Sequence, residues 1–169
     1  MTHFARWAAI AALAFAGQAF AQSNSPFGGF KHDETQPIEI AADSLEVQEA
    51  QSIAIFRGEV VAGQGTMRLT ANELEVLYGG VETGQIRNLK ARGDVFIANG
   101  AETAKGDFAE YDVENGLIKM TGAVTLTQGG NVVKGASLTI DLNTGRGAID
   151  GGGGGRVKSV FTPAPKTNE

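Results

Sequence analysis

The chain has 169 residues, 14 basic against 19 acidic, a net charge of −5, two histidines and no cysteine. That composition excludes a thiol nucleophile, a thiolate metal site and a disulfide framework, and the acidic balance argues against a protein that grips nucleic acid through a basic face. The length suits one modest domain.

The first residues read as an export signal rather than as part of a fold. Arg6 precedes the apolar run Trp7 to Phe15, and Ala19-Phe20-Ala21 is a small-x-small cleavage site, so cleavage is expected after Ala21. The apolar run is too short to anchor the chain across a bilayer. Without Arg6, 13 basic residues face 19 acidic ones and the net charge is −6. Residues 22–35 are polar and punctuated by Pro26, Gly28 and Gly29, which suggests a loose arm.

From Gln36 onward the texture is short alternation: Ile38 and Ile40 around Glu39, Leu45 and Val47 around Glu46, Ile53 and Ile55 around Ala54. The pattern returns at Met67/Leu69, Leu74/Val76, Tyr111/Val113, Val124/Leu126 and Leu138/Ile140/Leu142. Period-two alternation rich in Val, Ile and Thr is the strand signature. Gly63-Gln64-Gly65, Asn99-Gly100, Asn115-Gly116, Gly129-Gly130 and Asn143-Thr144-Gly145 punctuate it as turns. The spacing predicts an all-β domain over residues 36–163 with about fourteen to sixteen short strands, followed by a disordered tail at 164–169.

A two-part motif recurs four times. Its first part is small-x-x-apolar-x-apolar, at Ala42–Val47, Ala71–Val76, Gly106–Tyr111 and Gly135–Ile140. Its second is apolar-x-Gly, ending at Gly58, Gly93, Gly122 and Gly151. The offsets from start to glycine are 16, 22, 16 and 16 residues, so one six-residue insertion falls near Tyr78–Gly84. Self-similarity at this period marks a repetitive architecture whose units cannot bury an apolar face alone. The glycines read as turns.

Catalytic patterns are weak. His32 stands alone in the arm, which leaves triad chemistry without a positioned imidazole. Glu73 with Glu75, and Asp112 with Glu114, share a strand face and read as solvated surface. The stretch Asp141 to Asp150 lacks the acidic fifth-position and bidentate twelfth-position ligands of a calcium loop. The five glycines 151–155 have no following Lys-Ser/Thr pair and cradle no phosphate. What remains is a long sheet with an inner lining of Ile, Val, Leu and Ala, which suits either an open apolar groove or a tightly closed core.

The ordered series Gln36-Pro37-Ile38-Glu39-Ile40, Ala42–Val47, Ala54–Val61, Gln64–Leu74, Met120–Leu126 with Lys134-Gly135, and Arg156–Pro163 resembles the OstA-like (LptA) family of periplasmic lipopolysaccharide-transport proteins. The resemblance covers about Gln36 to Pro163. It implies a V-shaped antiparallel β-jellyroll with an apolar groove, no catalysis, no cofactor and no metal. It implies a periplasmic carrier that holds the lipid A part of lipopolysaccharide and passes it from an inner-membrane LptC-type partner, at the N-terminal edge, to an outer-membrane LptD-type translocon, at the C-terminal edge. Copies of the chain would associate head to tail. Alternation marks Ile38, Ile40, Leu45, Val47, Leu74, Val76, Tyr111, Val113, Leu138 and Ile140 as groove candidates, with Phe96 added as an aromatic of undetermined phase. Gln36, Pro37, Ile38, Glu39 and Ile40 are the candidate contacts at one edge. Arg156, Val157, Lys158, Ser159, Val160 and Phe161 are those at the other. The alternatives are an exported β-repeat scaffold that binds no lipid, or the membrane-anchored LptC-like partner of the same fold.

Overall fold

The computed structural model describes residues 35–79 and 85–162. The expected leader at 1–21, all but the last residue of the arm at 22–35, and the tail at 164–169 lie outside them. The chain forms one antiparallel sheet of ten strands: β1 (Ile38–Ala41), β2 (Ser44–Gln48), β3 (Ile53–Gln64), β4 (Met67–Tyr78), β5 (Ile86–Asn99), β6 (Glu102–Asp112), β7 (Leu117–Gln128), β8 (Asn131–Asp141), β9 (Arg146–Asp150) and β10 (Lys158–Val160). The all-β class is the one the residue pattern implies, and the antiparallel sheet is the one the family resemblance implies. The strand number differs, ten instead of fourteen to sixteen, because β3 to β8 are 11 to 14 residues long.

The recurring glycine explains the difference. It does not end a strand; it bulges one. Gly58-Glu59 (φ 82 and 41), Gly93-Asp94 (77 and 48) and Gly122-Ala123 (84 and 48) place two successive residues in the left-handed region. At each pair the register jumps, between Arg57 and Val60, Arg92 and Val95, and Thr121 and Val124. A bulge of this kind bends the strand without breaking the ladder.

Both parts of the repeated motif meet at the bulge. A Cβ at Gly122 would lie 2.6 Å from the Asp107 side chain, one at Gly93 2.6 Å from Asn72 Nδ2, and one at Gly58 2.8 Å from Asp43 Cβ. The residue after the small one in the first part therefore covers the glycine of the second. In the fourth copy the contact shifts by one, with Ala136 Cβ 2.7 Å from the Cβ position of Gly152. The six-residue insertion near Tyr78–Gly84 falls between β4 and β5, mostly outside the described residues, and the contact of Gly93 with Asn72 is kept.

Because six long strands bend on one line, the sheet doubles into two layers joined along a crease. One layer contains β2, β9 and one half of each long strand; the other contains β1, β10 and the remaining halves. Each layer thus has eight strand segments. The core between them is aliphatic, with Leu74, Ile97, Ile118, Met120, Leu138, Ile140 and Leu142 all under 2% exposed. The chain crosses the crease at both ends of the stack, through Ala42-Asp43 after β1 and through residues 151–157 before β10. The second crossing uses the glycine run, where Gly152, Gly153 and Gly154 have φ of 64, 38 and 88 and the Gly155 amide donates to the Gly152 carbonyl.

Candidate functional site

Directly opposed residues in an antiparallel sheet share a face, so the register assembles inner rows that run the length of the stack. In the β2/β9 layer one row is Leu45, Phe56, Leu74, Ala91, Ala109, Met120, Leu138 and Ile149. The next is Val47, Ala54, Val76, Leu89, Tyr111, Ile118, Ile140 and Gly147. Facing them, the β1/β10 layer presents Ile40, Ala62, Leu69, Ile97, Ala104, Leu126, Val133 and Ser159. Small alanines recur in all three rows, which lets the layers approach closely.

The space between the layers is uneven. At the waist, bordered by Ile38, Leu74, Leu89, Ile97, Tyr111 and Ile118, it is about 30 Å³, roughly the volume of one water. Toward the C-terminal end it widens to about 360 Å³, lined by Leu126, Val133, Ile149, Val157 and Phe161. Along the strand tips beside the N-terminal edge, Gln36, Ile38, Gln64, Ile86 and Val113 border about 600 Å³.

The groove candidates fall into three places. Ile38, Leu74 and Tyr111 border the waist, and Val76, Leu138 and Ile140 belong to the same buried cluster, with Ile40 and Val113 packed against it. Leu45 and Val47 lie in the rows of Leu74 and Val76, yet they are 55% and 54% exposed, because no strand among the described residues lies on the outer side of β2. Phe96 is separated from the others: flanked by buried Val95 and Ile97, it points to the outer face and is 38% exposed. The inner residues missed by the sequence reading are Leu89, Ile97, Ile118, Met120 and the inward alanines. Alternation around Phe96 carried the signal for Ile97; alanine carries little signal anywhere.

One tip of the inner surface is polar. Gln64, Asn99 and Glu102 are buried there, where Gln128 donates to Glu102 Oε1 at 2.5 Å, Thr66 to Asn99 at 2.7 Å and the Tyr111 hydroxyl to Gln64 across the layers at 3.5 Å. The outer face of the β2/β9 layer instead carries a charge ladder. Arg57 bridges Glu46 at 2.8 Å and Glu73 at 2.9 Å. Arg92 reaches Glu73 and Glu75 at 3.5 and 3.4 Å, and Lys90 reaches Glu75 at 3.7 Å. The guanidinium hydrogen bond from Arg57 holds the Glu46 carboxyl below its usual pKa. The carboxylates Glu73 and Glu75 are thus committed to ion pairs on a solvated face. Arg92 also sits 5.6 Å over the Phe108 ring.

Among the described residues both sheet edges are open. β1 and β2 form one, β9 and β10 the other. At the first, Gln36 and Pro37 precede the strand, Ile38 to Ala41 pair with β3, and the Gln36 carbonyl accepts from Gln64 Nε2 at 3.1 Å. At the second, pairing spans only Lys158, Ser159 and Val160, with Arg156 and Val157 before it and Phe161 after. Thr162 pins the end of that strand, its amide donating to Asn131 Oδ1 at 3.0 Å and its hydroxyl to the Gly130 carbonyl at 2.8 Å. Val160 and Phe161 are each 66% exposed.

An open antiparallel sheet doubled over an apolar interior, with no strand among the described residues closing either end, defines an OstA-like β-jellyroll. The sequence model of the family described as LptA/(LptD N-terminal domain) lipopolysaccharide transport protein matches residues 39–146. The chain belongs to that family, whose members transport lipopolysaccharide and are not enzymes. It is 35% identical to a Rhizobium meliloti protein of uncharacterised function over 95% of this chain and 91% of the relative. It is 26% identical to the lipopolysaccharide export system protein LptA of Haemophilus influenzae, over 84% of this chain and 86% of that one. The crystal structure of LptH, the LptA-homologous periplasmic component of the lipopolysaccharide transport device of Pseudomonas aeruginosa, superposes with a TM-score of 0.69 at 22% identity. That match covers 78% of this chain and 99% of the other.

Proposed function

We propose that this chain is a periplasmic lipopolysaccharide carrier that holds the acyl chains of lipid A between its two layers and hands the molecule on through its sheet edges. Export with removal of residues 1–21 delivers it to the periplasm. The N-terminal edge (Gln36 to Ile40, with β2) receives lipid from an LptC-type partner or from another copy, and the C-terminal edge (Arg156 to Phe161, with β9) passes it to the next copy or to an LptD-type translocon.

The observation that carries this reading is the continuity of the inner rows into both open ends. Leu45 and Val47 continue the rows of Leu74 and Val76 into solvent. An abutting sheet would extend the same lining, so an alkyl chain passing between chains need not leave apolar surface. Parity supports the joint. Eight antiparallel segments per layer leave β9 and β10 antiparallel to the β2 and β1 of a following copy in the same orientation, so the ladder pattern continues unbroken. The waist is narrow, with about 30 Å³ of free space, so in this reading an acyl chain enters as the layers part along their tips, with the bulged crease as the hinge.

A photoreactive residue placed at Ile38 or at Tyr111 tests this in cells. The expected result is a lipopolysaccharide adduct at both positions and none at the outward Phe96. Absence of adduct at both inner positions overturns the carrier reading in favour of a lipid-free scaffold, and equal labelling at Phe96 overturns the interlayer site.

A further inference from the structure

The outer face of the β1/β10 layer lacks the charge pairing of the other layer. Its register sets Lys105, Thr125, Lys134 and Lys158 in one row, with Lys134 and Lys158 directly opposite on β8 and β10. Both are exposed, and among the described residues no ion pair involves either one. Like charges directly opposite in a sheet are destabilising, so this pair weakens the terminal strand of the free chain. At the other end of the same layer, the outward residue of β1 is Glu39, exposed and opposite Gly63. Its nearest cation along that row, Arg68, is turned back onto the carbonyls of Gly65 and Met67, each at 2.8 Å.

We propose that Lys134 and Lys158 form a cationic clamp for Glu39 of a second copy of this chain, and that this charge pattern sets the polarity of the joint. The inference rests on the edge-to-edge reading above and adds what decides its direction. Hydrophobic edges alone do not choose between joints. Two C-terminal edges, or two N-terminal edges, could also pair antiparallel about a two-fold axis. Tail to tail, the joint would bring two Lys134/Lys158 pairs together. Head to head, it would oppose Glu39 to Glu39. Head to tail is the arrangement that converts both repulsions into attraction.

The rows show how it fits. Continuing the Ile40 row beyond Ser159 sets the next copy's Ile40 opposite Ser159, so Glu39 falls opposite Val160 and diagonal to Lys158. Diagonal neighbours on one face are within reach of long side chains. Ala41, opposite Lys158 in that register, leaves room for the ammonium. A one-residue slip would turn Glu39 inward against the apolar rows and is excluded by the pleat.

Sedimentation of the mature protein at low ionic strength, for the wild type, Glu39→Lys, Lys158→Glu, the double variant and a chain truncated after residue 155, tests the clamp. Each single reversal should weaken self-association about fivefold, the double variant should regain it, and wild-type association should weaken as salt is raised. Both side chains are exposed and at the ends of the stack, so thermal melts no lower than that of the wild type will show that folding is intact. Single variants that associate like the wild type while the truncated chain does not would overturn the clamp and leave the edge joint standing. Failure of the double variant to recover would overturn the Glu39 pairing. Association unchanged by the truncation would overturn the edge joint itself.

Discussion

The middle of the stack and its ends are made of the same residues in the same rows, yet they behave as different materials. Leu74 is fully buried and Val76 is 3% exposed, whereas Leu45 and Val47, their row neighbours two strands away, are 55% and 54% exposed. Nothing in their chemistry differs. The middle strands have a neighbour on both sides and the end strands have one. An ordinary β-domain blunts its last strands with charge, proline or a covering loop; here Pro37, Glu39 and Lys158 mark the end strands, yet the apolar inner rows still run out to the edge. On the edge-joint reading proposed above, the ends are middle segments awaiting a neighbour, and stability and assembly would then be carried by different parts of one motif.

The severest way to break that division lies at the crease of the middle. Gly122→Val places a β-branched residue at φ 84, with its Cβ on the Asp107 side chain. Strain at a left-handed position together with that overlap should cost at least about 3 kcal/mol, read as a lowered midpoint in denaturant or as loss of the cooperative transition. A melt like that of the wild type would show that the bulge does not hold the layers at their angle.

A matched pair of truncations sharpens the comparison within one row. Leu74→Ala should destabilise by about 2–5 kcal/mol, as deletion of a fully buried leucine does, whereas Leu45→Ala should change stability by no more than about 0.5 kcal/mol while weakening self-association in sedimentation. Equal losses of stability would mean that β2 belongs to the core. Loss of neither stability nor association at Leu45 would remove the apolar edge from the joint.

How much of this was legible in the sequence follows from what period two can encode. The inward phase of Leu74, Val76, Leu138 and Ile140 needs only the alternation of their own strands. The strand count needs more. A glycine with positive φ serves a bulge as well as a turn, and what distinguishes them is the partner across the ladder: Asp43, Asn72 and Asp107 over Gly58, Gly93 and Gly122. That pairing was present as the recurring offset of 16 residues (22 in the second copy) between the two parts of the motif, visible as a repeat but not as a contact. Phe96 could be phased only through its neighbours: Val95 and Ile97 alternate around it, and their burial turns it outward. The exposure of Leu45 was not legible at all, since an end strand and a middle strand carry the same residues.

The smallest effect separates turns from both middle and ends. At the strand tips, Asp112 accepts from the Asn115 side chain at 2.8 Å and its amide at 3.1 Å, and Asp141 accepts from the Thr144 amide at 3.0 Å. The Asn115 side-chain bond foremost lowers the Asp112 pKa from its usual 3.8, and the Thr144 backbone bond does so for Asp141. A carboxyl with a depressed pKa in the folded state binds its proton more readily when unfolded. Its contribution is therefore complete above about pH 4 and is lost as the pH falls through the lower, folded value. Replacing both, Asp112→Asn and Asp141→Asn, should lower the melting temperature slightly at pH 7 and flatten its decline between pH 5 and 3 relative to the wild type. The two turns also touch, the Leu142 amide donating to the Gly116 carbonyl at 2.8 Å and the Asn143 side chain to the Asn115 carbonyl at 3.0 Å; if each carboxylate acts only within its own turn, the two single variants should behave alike although Asp112 lies in the middle of the stack and Asp141 lies next to its end. A decline confined to one of them would show that the tips, like the inner rows, depend on their neighbours.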